Sequence, residues 1–83
     1  MMMLDIVDDS GEGIIIPDGA TISGSDSQIA MYMDSVFRCM PLNHTLFKEY
    51  DPKKNEYTVE IYDLPRDFNT SPVWSCVFAR VQE

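Results

Sequence analysis

The sequence is poor in residues that do chemistry. It holds one histidine, His44, and two cysteines, Cys39 and Cys76, in 83 residues. One histidine and two separated cysteines cannot build a zinc cage, and two cysteines without CxxC spacing make no disulfide framework. Each cysteine lies among apolar residues, where a free thiol behaves as a small hydrophobe, so both are expected to be reduced. His44 sits between Asn43 and Thr45 in a loop. A loop-fixing role is expected for it, because Cys39 and His44 lack a third orienting group and any electropositive neighbour beyond Arg38. Gly11-Glu12-Gly13 puts a carboxylate where a phosphate would have to sit. Asp8, Asp9, Ser10 and Glu12 bunch oxygen ligands, but a calcium loop needs a closing Glu where this chain has Gly19. No catalytic residue, metal site or cofactor is therefore assigned, and no enzyme is expected.

Long apolar runs are also missing. No stretch approaches the roughly 20 residues of a membrane span. Met1 to Asp5 has neither a basic region nor a long apolar segment, so no secretory signal is read there and a cytoplasmic location is expected. The glycosylation pattern Asn43-His44-Thr45 has no assigned role without a secretory route.

Basic residues are scarce, and their distribution is uneven. Fourteen acids against six bases give a net charge of −8. Residues 1–37 contain Asp5, Asp8, Asp9, Glu12, Asp18, Asp26 and Asp34 and no Lys or Arg, a charge of −7, while the rest carries −1. Direct binding to nucleic acid or to an anionic membrane is disfavoured, since phosphate recognition runs on Lys and Arg. A basic protein surface is the natural partner. The plainer alternative is that the charge only keeps a small protein soluble.

What is present suits one small acidic α+β domain over residues 1–83, with 45% hydrophobic and 24% charged residues. Leu4–Val7 and Gly13–Ile16 read as strands of a hairpin with Asp8, Asp9 and Glu12 at its tip. Pro17-Asp18-Gly19 breaks the second strand, and a polar loop is expected through Gly24. Ser25 to Gln28 fits a capping box opening a helix that Pro41 ends near Cys39 or Met40. Helical spacing puts Ile29, Met33, Val36, Phe37 and Met40 on the core side, with Asp26, Ser27, Asp34, Ser35 and Arg38 opposite. Thr45–Tyr50 and Glu56–Leu64 read as antiparallel strands joined by an Asp51–Asn55 turn, and Val73–Val81 as a central strand apolar on both faces. The order is ββαβββ: an antiparallel sheet of about five strands with one helix packed on it.

Aromatic residues are numerous for so small a chain. One helix covers one sheet face, so the other is expected to expose a patch drawn from Tyr62, Trp74, Tyr50 and Phe47, which would mark a binding surface or a dimer seam. The expected partner-binding residues are Asp8, Asp9, Glu12, Asp26, Asp34, Tyr62 and Trp74. In size, acidity and lack of a catalytic centre the chain resembles phage-encoded inhibitors, including anti-CRISPR proteins and other nucleic-acid mimics. That resemblance is one of composition, and it implies an inhibitor occupying a basic, nucleic-acid-binding surface of another protein. The alternative is a non-catalytic accessory subunit that self-associates as a homodimer through an exposed aromatic sheet face.

Overall fold

The computed structural model describes residues 3–7, 13–63 and 69–81. The hairpin forms as expected. Strands β1 (Leu4–Val7) and β2 (Gly13–Ile16) pair antiparallel, with Leu4 opposite Ile16 and Ile6 opposite Ile14. Its tip residues Asp8, Asp9 and Glu12 lie outside the described residues, as do Leu64 and Phe68.

The segment expected to be a polar loop is instead a strand, β3 (Ala20–Gly24). It pairs in parallel with the last strand, Ile22 opposite Phe78. The turn into it is built by Gly19 at φ 77° and by Asp18, whose Oδ1 accepts from the Ser75 backbone N–H at 2.8 Å. The helix α1 (Asp26–Cys39) follows, then β4 (Thr45–Asp51), β5 (Glu56–Tyr62) and β6 (Trp74–Arg80). The four-stranded sheet runs β3-β6-β5-β4. The fold is α+β, but the described residues form one helix and six strands in two sheets, of which the larger is mixed. The parallel pair arises because α1, β4 and β5 all intervene between β3 and β6, giving enough chain for a crossover. β6 is central, as its two apolar faces imply.

Register assigns the two faces of the larger sheet. Cys76 is opposite Val59, Trp74 opposite Ile61 and Phe78 opposite Tyr57, so these share a face, joined by Leu46, Lys48 and Tyr50 of β4. Helix and hairpin pack on this side, and Leu4, Ile6, Ile16, Ile29, Met33, Val36 and the inner residues of β5 and β6 form one core. The fold is thin, 17 Å along its shortest axis, as two layers require.

Trp74 and Tyr62, both expected to be exposed, are buried. Trp74 is fully buried because the hairpin joins the helix in covering its side, and its indole Nε1–H donates to the Ile16 carbonyl at 3.1 Å. Tyr62 is buried at the end of β5, where the chain leaves the sheet.

The helix begins as expected. The Gln28 N–H donates to Ser25 Oγ, and the Ser25 N–H donates to Gln28 Oε1 at 2.9 Å. Gly24 makes room for this box, since a Cβ there would meet the Gln28 Oε1 at 3.0 Å. Arg38 lies in the last turn, where a cation suits the dipole. Two residues fall on sides other than expected: Ser35 is buried and Phe37 is half exposed. The buried arc, centred on Ile29, Met33 and Val36, is rotated toward Tyr32 and Ser35. The hairpin strand β1 packs against the helix, and Tyr32 stacks on Phe78 with centroids 6.2 Å apart. Phe37 is left on a flank over which no described helix or strand packs, with Lys48 above its ring.

Candidate functional site

Two surfaces stand out. The first is the sheet face away from α1. A strand sends alternate side chains to opposite faces, so the residues between the core positions point outward together. On β4 these are Thr45, Phe47, Glu49 and Asp51, and on β5 they are Glu56, Thr58 and Glu60, with Tyr62 on the same side but buried at the strand's end. β6 adds Ser75, Val77 and Ala79, and β3 adds Thr21 and Ser23. Four carboxylates thus lie on one ribbon, Glu49, Asp51, Glu56 and Glu60, with Asp51 directly opposite Glu56. None of the described strand positions on this face is Lys or Arg; Lys53 and Lys54 lie beyond it in the turn. Among the described residues no helix packs here. Like charges directly opposite in a ladder cost stability, and the fold carries that cost on its open face.

Part of this pattern has a local cause. Asp51 Oδ1 accepts from the backbone N–H groups of Lys53 and Lys54 at 3.0 and 3.4 Å, shaping the turn that Asn55 closes at φ 56°. Glu49, Glu56 and Glu60 form no part of that turn.

The second surface is an open groove of about 370 Å³ beside α1. Ile29, Met33 and Phe37 make its helix wall, with Ala30 and Asp34 at the rim. Lys48, Tyr57 and Arg80 approach from the sheet. The Lys48 ammonium sits 5.9 Å above the Phe37 ring. At the other end Arg80 clamps Asp26 through two hydrogen bonds, Nε to Oδ1 at 2.6 Å and Nη2 to Oδ2 at 2.7 Å. Arg80 also donates to Tyr50 Oη at 3.3 Å and lies over the Tyr50 and Tyr57 rings. The clamp lowers the Asp26 pKa, chiefly through the hydrogen bonds, and raises that of Arg80 for the same reason.

The expected site residues thus separate. Asp26 and Asp34 are exposed on α1 and both line the groove, but Asp26 is neutralised by Arg80. Tyr62 and Trp74 are buried. Asp8, Asp9 and Glu12 lie outside the described residues. The charge asymmetry along the chain drew attention to the first 37 residues, and so missed Glu49, Glu56 and Glu60. Their signal was the strand alternation itself, which sets Glu60 beside Thr58 and opposite in sense to Val59 and Ile61.

His44 does fix its loop. Its Nδ1 is 3.1 Å from the Leu42 carbonyl, and its Nε2 is 2.6 Å from Asp63 Oδ1, tying the loop after α1 to the end of β5. Cys76 is buried in the core, where desolvation pushes its thiol up to about 12, and Cys39 is half buried. Among the described residues no three His, Cys, Asp or Glu side chains converge as a metal cage would need. No described helix is long and apolar enough to cross a membrane.

Comparison with protein-family models, with curated proteins and with solved structures returned no match.

Proposed function

We propose that this chain is a non-catalytic, acidic protein-binding module that docks its open sheet face on a basic surface of another protein. The observation that carries this reading is the placement of Glu49, Asp51, Glu56 and Glu60 on one sheet face that no described helix covers and whose described strand positions hold no base. A rigid sheet spaces carboxylates at about 6.6–7 Å along a strand and about 5 Å across strands. Fixed anionic groups at such intervals suit a surface whose Lys and Arg otherwise engage phosphates, which makes the module an inhibitor in the manner of nucleic-acid mimics. Thr58, Val77 and the partly buried Phe47 on the same face offer neutral contact area between the charges.

The test is affinity capture from the source cell with the wild-type chain and with a Glu49→Gln, Glu56→Gln, Glu60→Gln variant, followed by identification of the captured protein. The reading requires a basic nucleic-acid-binding protein that the wild type retains at low salt, that the variant loses, and whose nucleic acid the wild type displaces. Equal capture by both chains would contradict it.

A further inference from the structure

Among the described residues, no helix or strand fills the groove beside α1. A four-stranded sheet spans about 14 Å between its outer strands, and helices lie about 8–10 Å apart, so its inner face has width for two helices. α1 packs over β3 and β6, with the hairpin against it. Tyr57 of β5 and Lys48 and Tyr50 of β4 remain partly or fully exposed on that inner face, next to a half-exposed Phe37.

The charge of this surface differs from that of the whole chain. Asp26 and Asp34 are matched by Lys48 and Arg80, so the groove is neutral in a protein of net charge −8. Asp26 and Arg80 bind each other, leaving Asp34 on the helix wall and Lys48 on the sheet wall. An acid and a base on opposite walls of one apolar groove form a self-complementary pattern, which a two-fold interface needs.

We infer that a second copy of this chain docks in the groove, pairing Asp34 of each copy with Lys48 of the other around a two-fold axis between them. The two α1 helices then lie side by side between two sheets, each covering the half of the inner face that the other leaves bare. Phe37 provides the apolar anchor, and the acidic outer faces point away from each other, so repulsion between two anionic chains is minimised. Face-to-face assembly is favoured over addition at the β4 edge, because an inward-pointing Lys48 on an edge strand discourages strand pairing. The inference goes beyond the proposed function: the dimer would present two acidic faces, but it forms or fails to form whether or not they bind a partner.

Sedimentation of the purified chain across a concentration series tests it. The mass should rise from 9.5 kDa toward twice that value. Asp34→Lys and Lys48→Glu should each weaken dimerisation by roughly tenfold or more, since each sets like charges against each other twice, and the double charge swap should restore it. Phe37→Ser should weaken it as well. Both charged residues are exposed, so circular dichroism should show wild-type folding for each variant. A wild-type chain that stays at monomer mass up to about 1 mM, where only contacts weaker than about 4 kcal/mol escape detection, would overturn the inference. So would a dimer indifferent to Phe37→Ser, or a double swap that fails to restore assembly.

Discussion

Trp74 and Ile16, 58 residues apart, are joined by a hydrogen bond from the indole Nε1–H to the Ile16 carbonyl at 3.1 Å, with both side chains fully buried. This contact fastens the two-stranded hairpin onto the central strand of the larger sheet. It also turns the most voluminous side chain of the chain from a surface anchor into a core residue.

Trp74→Phe should therefore destabilise the fold by roughly 2–4 kcal/mol, combining lost volume with an orphaned carbonyl. Urea denaturation followed by circular dichroism measures this. A change below about 0.5 kcal/mol, as surface substitutions give, would mean the hairpin does not depend on this contact.

The rotated buried arc of α1 yields a paired comparison. Val36→Ala should cost roughly 1.5–3 kcal/mol because the side chain is almost fully buried. Phe37→Ala, at a position half exposed, should cost under about 1 kcal/mol in protein dilute enough to be monomeric. The same denaturation assay separates them, and a reversed order would put the groove on the wrong flank of the helix.

The Asp26–Arg80 clamp makes stability depend on pH. The folded-state pKa of Asp26 is depressed, so its contribution is fully present above the ordinary carboxylate value and is lost as pH falls through the folded value. Asp26→Asn should be less stable than wild type at pH 7. The difference should shrink progressively below about pH 4. Parallel melting curves of both proteins would show this, and a difference constant with pH would contradict the clamp.

The two cysteines should differ in reactivity. Cys39 is half buried, whereas Cys76 is buried with its thiol raised to about 12, leaving almost no thiolate at neutral pH. A thiol reagent should label Cys39 in the native protein and Cys76 only on unfolding, as mass spectrometry after timed labelling would record. Equal rates would place Cys76 at the surface.

Much of the fold was legible where the pattern was local. The capping box at Ser25 and Gln28, the stop at Pro41, the β1–β2 hairpin and the Asn55 turn each depend on a few adjacent residues, and each formed as read. β3 was missed because Ala20-Thr21-Ile22-Ser23-Gly24 is short and small, and its pairing partner lies more than 50 residues away. Its alternation of inward Ala20, Ile22 and Gly24 with exposed Thr21 and Ser23 was nevertheless present. Phe37 was misplaced because helical spacing gives relative angles within α1, while the elements packed against the helix, β1, β3 and β6, decide which arc is buried. The charged site was harder still. Charge counted along the chain pointed to residues 1–37, but Glu49, Glu56 and Glu60 come together only through the β4–β5 register.

The central claim is that these carboxylates form a docking face, and the salt dependence of binding tests it most directly. Once a partner is captured, its affinity for the wild-type chain and for the Glu49→Gln, Glu56→Gln, Glu60→Gln variant should be measured from low to high ionic strength. Removing Glu56 opposite Asp51 relieves repulsion, so the variant should stay folded and be as stable as wild type or slightly more so. Wild type should bind tightly at low salt and weaken steeply, and the variant should bind less well with a shallower dependence, mainly through slower association. Coincident curves at every ionic strength would contradict the account and leave the acidic face as a device for solubility alone.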